Sequence, residues 1–408
     1  VFEAAGFPGG ICSSYYVRPG ESESLLQPPD NEEAYRFEIG GGHWIFGGDS
    51  AALHFLRTFA TMKSYSRRSS VYFREKDLYV PYPLQNNLRY VEKEIAASAL
   101  PEMRRGHGMF RTMKEWLEQC FGPTLCELFF YPFHELYTAG LYKKIAPQDA
   151  YKTPVDLSMV INGAKSEVSQ VGYNVSFIYP KKGLNDLAKR IANKLDIRYG
   201  KRVVEIDIKS KNIKFSDGSE TTFDKLISTL PLNKTVEMCG IELRMKPDPY
   251  SSVLVLNIGA IREQKCPRDH WLYTPDTKSG FHRVGFYSNV DRLFLPLSAR
   301  EKGDRVSIYV EKAYPGGNEP DSEMKSRYIN AVVDELQKWQ FINDIEVVDP
   351  TWIDVAYTWS WPESDWRQKA IGELEKNGIF QIGRYGKWSF KGIADSIRDG
   401  LIIGSALK

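Results

Sequence analysis

Four short runs in this 408-residue chain carry side chains suited to holding anions or tuning a redox centre. Gly40-Gly41-Gly42-His43 sets an imidazole directly after three glycines. Such a loop lets backbone approach a flat ligand closely, and imidazole changes its charge near neutral pH. Arg283 stands in the run Phe281-His282-Arg283-Val284-Gly285-Phe286-Tyr287, and Arg384 follows Gly383 in Gly383-Arg384-Tyr385-Gly386. A guanidinium presents a rigid fork of donors that matches a diphosphate, and a glycine turn opening a helix frees backbone N–H groups for the same ligand. Glu3, followed by Pro8-Gly9-Gly10, completes the set. An acid at the tip of a second strand takes ribose hydroxyls in a dinucleotide-binding unit, and the glycines that follow Glu3 permit close approach of backbone to a ligand. Plainer alternatives stand beside them: Glu3 with its glycines an ordinary surface turn, His43 satisfied by its own turn, and Arg283 paired with a carboxylate at a sheet edge; likewise Asp395, near the start of the last helix, could equally cap it, and Asn174 could stabilise a turn.

The elements that must position these residues alternate in period. Asp49-Ser50 offers an N-cap to a helix over 51–61, and 69–83 reads as a hairpin. The period turns helical from 92 to about 142. A strand at 176–180 leads through Lys181-Lys182-Gly183 into a helix over 184–195. Three extended segments between 203 and 223 then read as a meander, followed by a buried strand at 225–231 that returns to the nucleotide domain. Extended runs at 253–258, 283–287 and 306–310, with a helix from about 321 to 339, suit a sheet with a helix packed on it. A strand, a glycine turn and a helix from about 393 to 406 close the chain. The pattern predicts an α/β (mixed α+β) protein. Its dinucleotide-binding domain is discontinuous over 1–50, 176–250 and 376–408, with a mostly helical insert at 51–175 and a substrate-side sheet at 251–375.

Composition narrows the classes. A net charge of +2 on this length gives no field that would demand nucleic acid as a partner. The five cysteines are scattered and form no C-x-x-C pair, which suits free thiols in a cytoplasmic setting and argues against structural zinc. No apolar run approaches 18 residues, so no transmembrane segment is expected. Aromatic residues make up 13%, enough to line a pocket for a flat or sugar-like small molecule. A search finds no G-x-G-x-x-G between a strand and a helix, so we expect about 30 further residues before Val1, carrying the first strand and the pyrophosphate turn. Glu3 is then expected to face an adenosine pocket, and the 408-residue chain by itself to bind its cofactor poorly.

In order along essentially the whole chain, four anchors resemble the flavoproteins related to UDP-galactopyranose mutase, within the amine-oxidase and protoporphyrinogen-oxidase superfamily. They are Glu3 with Pro8-Gly9-Gly10; Gly41-Gly42-His43-Trp44-Ile45-Phe46; Gly172-Tyr173-Asn174 through Pro180 with Gly183; and Gly383 through Phe390 with Asp395-Ser396-Ile397 and Gly400. The last is the most specific. The resemblance implies FAD in a Rossmann-like domain of the glutathione-reductase/amine-oxidase type, with NAD(P)H as a candidate reductant. It assigns Glu3, Gly9, Gly10, Gly42, His43, Gly383, Arg384, Asp395, Ser396 and Ile397 to the cofactor. Asn174, Arg283, Tyr357, Trp361 and Lys152 fall to the substrate, and His43 and Arg283 to catalysis.

The implied activity is reduced-flavin chemistry on a nucleotide-activated sugar. Departures weaken the substrate half of this reading. Phe390 stands where the mutases have a diphosphate-binding tyrosine, and only Lys152 is at hand for an arginine of the helical insert, although a point charge does not reproduce a fork. The rival expectation is an oxidoreductase of amine-oxidase or protoporphyrinogen-oxidase type, taking hydride from an amine, a porphyrinogen or an unsaturated lipid. A third is a flavin-binding remnant without catalysis.

Overall fold

The computed structural model describes residues 1–103, 110–148, 156–168 and 175–407. Its largest element is a seven-stranded sheet. In spatial order its strands are Ile342–Thr358, Tyr250–Arg262, Arg305–Pro315, Arg283–Phe286, Trp271–Tyr273, Ser69–Phe73 and Leu78–Pro81. All neighbours are antiparallel except Trp271–Tyr273 with Ser69–Phe73, which run parallel. The expected hairpin forms, but it extends this sheet instead of belonging with the helices of the 51–175 segment. The sequence reading also passed over the 17-residue edge strand Ile342–Thr358. Pro350 lies within it, which an edge position tolerates because one side of the strand makes no ladder bonds.

Alternation along the central strands divides the core in two. Leu254, Leu256, Ile258, Ile308 and Val310 pack with Tyr328, Val332 and Leu336 of the helix Ser322–Lys338. The spacing of those three helix residues puts them on one face, and Asp321 caps the helix by accepting from Met324 N at 2.7 Å. The opposite face of the sheet carries Val253, Val255, Tyr309 and Ala313 into the other core, with the Tyr35–Glu38 strand and the helical segment. That segment contains Met113–Leu125, opened by a capping box between Thr112 and Glu115, and Tyr131–Tyr137.

Three further pairings join segments distant in sequence. Ile45–Phe46 pairs with Ser176–Pro180, Leu226–Ser228 lies parallel to Ile379–Gln381, and Phe2 bridges Arg198 in parallel. The three-stranded meander over 203–222 forms as expected. The strand expected to be buried at 225–231 is not fully so: Ile227 is 44% exposed, because among the described residues this strand has only one neighbour.

One contact locks the sheet to the glycine loop. Tyr309 is fully buried, and a Cβ on Gly285 would lie 2.0 Å from its Cζ, while one on Gly42 would lie 2.3 Å from its hydroxyl. The ring is therefore clamped between two positions that tolerate no side chain. Gly285→Ala should cost about 1–3 kcal/mol by overpacking, measured by urea denaturation. In a Tyr309→Ala background the same change should cost far less, since the two residues share one space. Additive costs would contradict the clamp.

Candidate functional site

Antiparallel register sets Arg283 directly opposite Glu311, and Gly285 opposite Tyr309. Because side chains alternate, Arg283 and Gly285 share one face of their strand, and Tyr309 and Glu311 the matching face of the next. This face meets the loop 40–43. Gly41 adopts a φ of +78°, and a Cβ there would lie 2.9 Å from Glu311 Oε1. Three glycines had suggested close approach to a ligand. At Gly41 and Gly42 the closest neighbours are the protein's own Glu311 and Tyr309.

Arg283 donates from Nη2 to both carboxylate oxygens of Glu311, at 2.6 and 2.5 Å. The Tyr357 hydroxyl donates to the same carboxylate at 3.2 Å, and His282 Nε2 lies 3.6 Å away. Burial works to raise the Glu311 carboxyl, but the Arg283 charge and contacts from His282 and Arg283 outweigh it and hold the group at about 2. The stability this lends is present above the ordinary carboxylate range and is lost as pH falls towards 2. Sequence reasoning missed Glu311 and Tyr309. A lone acid inside the apolar run of 306–313 was the available signal, since an acid buried in a sheet needs a partner.

Arg384 approaches the same place from the C-terminal segment. Its Nη2 donates to Ala356 O at 3.0 Å, and its guanidinium carbon lies 4.2 Å from the Phe390 ring centre and 5.5 Å from that of Tyr357. Nε of Arg283 and Nε of Arg384 are both buried, with no acceptor among the described residues. His43 lies within the field of both arginines. Its Nδ1 is 3.3 Å from Gly41 O, and desolvation, then the Arg384 charge, push the imidazole down to about 4. Helix Tyr131–Tyr137 supplies an aromatic wall: Tyr137 meets Tyr357 edge-on at 4.8 Å and His282 at 5.3 Å, and Phe133 meets Tyr273 at 5.5 Å.

The remaining expected site residues divide. Glu3 stays at the end of its parallel pairing, with Oε1 accepting from Ala5 N at 2.8 Å. Gly9 packs against Ala188, whereas Gly10 has open space around the position of a Cβ. The Gly383 N–H, expected to face a phosphate, donates instead to Asp399 Oδ2 at 3.1 Å, and Asp399 is itself held by Lys387 and Lys391. Asp395 caps its own helix by accepting from Gly392 N at 2.9 Å, the plainer of its two expected roles. Ser396 lies beside Gly383 but donates to Gly392 O, and Ile397 packs on the core. Tyr357 joins the arginine cluster. Trp361 has its indole N–H on Pro247 O at 2.8 Å and its ring under Lys246, contacts that place it at the 246–248 loop. Asn174 and Lys152 lie outside the described residues.

The comparisons with known proteins decide the family. The pattern of the flavin-containing amine oxidoreductases matches residues 1–401. This chain belongs to that family. A crystal structure of reduced UDP-galactopyranose mutase is similar in fold, with 21% identity and a TM-score of 0.82 over all of this chain and 90% of that one. A conjugated-linoleic-acid-producing fatty acid isomerase from P. acnes gives 13% and 0.58, over 99% and 91%. Cyclohexylamine oxidase from Brevibacterium oxydans gives 11% and 0.58, over 100% and 92%. The expected mixed α/β flavoprotein fold and the cofactor FAD are thereby borne out. The residues present suit such a group: an open glycine turn after Glu3, and a buried, unaccepted Nε–H on Arg384 beside His43.

His43 should therefore be neutral throughout the range where proteins are usually handled. NMR titration of its imidazole in the ligand-free protein, assigned with His43→Asn, is expected to give a midpoint near pH 4. A midpoint near the ordinary 6.5 would mean that the loop is solvated and that Arg384 does not reach it.

Proposed function

We propose that this FAD enzyme acts on a nucleotide-activated sugar by UDP-galactopyranose mutase-like chemistry. The observation that supports the reading is the pair of buried guanidinium Nε–H groups on Arg283 and Arg384, two side chains whose charges both act on Tyr357, that have no acceptor among the described residues. A buried donor left unpaired costs about 1–3 kcal/mol, so two of them on arginines that both act on His43 and Tyr357 favour a ligand rich in oxygen acceptors. A diphosphate is such a ligand.

In this reading Arg283 and Arg384 grip the diphosphate and fix the sugar's position, while Tyr357 and the wall formed by Phe133 and Tyr137 exclude water. Bound and reduced FAD would supply an electron-rich ring nitrogen for the sugar carbon. His43, neutral above pH 4, offers the ring a hydrogen-bonding partner without adding charge. Glu3, Gly9, Gly10, Gly42 and His43 are assigned to the cofactor, with Gly383, Asp395, Ser396 and Ile397 at its edge, and Arg384, which the resemblance gives to the cofactor, is assigned to the substrate diphosphate as well. Asn174, Lys152, Tyr357 and Trp361 are assigned to the substrate. We place the protein in the cytoplasm, on the strength of its five free cysteines.

A second reading has its own support. Glu311 already offsets the charge of Arg283, and Phe390 offers no hydroxyl, both of which suit a neutral or cationic substrate oxidised by hydride loss. Titration of the flavin-loaded protein with UDP-galactose and with cyclic amines, each before and after dithionite reduction, separates the two. Tighter UDP-galactose binding on reduction is the expected result, and Arg283→Lys or Arg384→Lys should weaken it by about tenfold or more. Flavin bleaching by an amine without dithionite, with no response to UDP-galactose, would replace the mutase reading by the oxidoreductase one.

A further inference from the structure

Arg283 meets Glu311 in an unusual way. A guanidinium facing a carboxylate commonly uses two nitrogens in a fork, yet here both oxygens of Glu311 take Nη2 alone. Nε is left buried and unaccepted. The carboxylate cannot shift to the fork geometry easily. Its Oε1 abuts Gly41, its Oε2 accepts from Tyr357, and His282 lies beside it at 3.6 Å. Glu311 is 2% exposed, so no water competes for it.

We infer that Glu311 is the positioning residue of this arginine cluster: it clamps Arg283 by one terminal nitrogen and thereby leaves the Nε edge of the guanidinium for a ligand anion. The ligand part of this inference rests on the nucleotide-sugar reading above, whereas the clamp does not. Charge alone leads to the opposite expectation. Removing a carboxylate from a cluster with two arginines raises its positive potential, and an anion should then bind more tightly. Removing a clamp frees the Arg283 side chain, whose ordering must then come out of the binding free energy, so the anion binds less tightly.

Two readouts on the whole protein test this. The first needs no ligand: hydrogen exchange of the Arg283 Nε–H, followed by NMR and assigned with Arg283→Lys. Slow exchange is expected in the wild type, and exchange faster by about tenfold or more in Glu311→Gln. The second is UDP binding by calorimetry, expected to weaken by about tenfold in Glu311→Gln although the pocket gains positive charge. Equal exchange protection in the variant, or tighter UDP binding, would overturn the positioning role. Faster exchange in Glu311→Gln with no UDP binding by the wild type would uphold the clamp and remove the nucleotide-sugar reading. Should Glu311→Gln fail to fold, Tyr357→Phe takes its place. It removes one hydrogen bond from Glu311 without changing charge, and exchange at Arg283 unchanged from the wild type would again overturn the clamp.

Discussion

Pairing of Glu311 with Arg283 across two adjacent strands is the constraint on which the site depends. Taking the Glu311 charge out of water costs several kcal/mol, and leaving it without its half-buried partner Arg283 would cost about 3–5 kcal/mol. The sheet must therefore hold its register at this point, because a slip of one residue would send Glu311 into the apolar core beneath helix Ser322–Lys338. The same register places Tyr309 opposite Gly285, and Tyr309 in turn fits only because Gly42 has no side chain. Ion pair, clamped ring and glycine loop are thus one mechanical unit. It fixes where His43 sits relative to both arginines.

The electrostatics follow from that unit. Two guanidinium groups and one carboxylate leave a single excess positive charge beside an imidazole that stays neutral. Among the described residues Arg384 has no carboxylate partner, and it is held by a backbone carbonyl and by the faces of aromatic rings. Aromatic side chains have a second use here. Phe133 and Tyr137, one helical turn apart, stack on each other, and Tyr137 packs edge-on against Tyr357 of the sheet. The richness in tyrosine that the composition shows is in good part spent on this wall and on the core beside it.

Much of the fold was legible in the sequence because it rests on local physics. Asp49 caps its helix, the hairpin at 69–81 forms, and the meander follows its turn signals, since capping, alternation and turn chemistry act over a few residues. Assignments of long-range partners fared less well. The hairpin joins a sheet whose other strands lie some two hundred residues away, and the 17-residue edge strand carries an internal proline that reads locally as a break. Asp395 shows the limit for a site residue: an acid near a helix start has a local use as a cap, and that use is what the fold makes of it.

Residue types and their spacing determined by themselves that this chain is a mixed α/β protein and that His43 follows a loop which must be closely approached, and the resemblance they carry added the flavin and marked Arg283 and Arg384 as the cations to watch. Only the tertiary structure decided what approaches that loop and what the arginines lack. Glu311 and Tyr309 reach it from a strand more than two hundred and fifty residues further on, and the unaccepted Nε–H groups exist only once burial has removed water from them. Sequence spacing carries the types of groups available for a site. Desolvation and cross-strand register, which are properties of the folded chain, set their partners, their charge states and the edge they offer to a ligand.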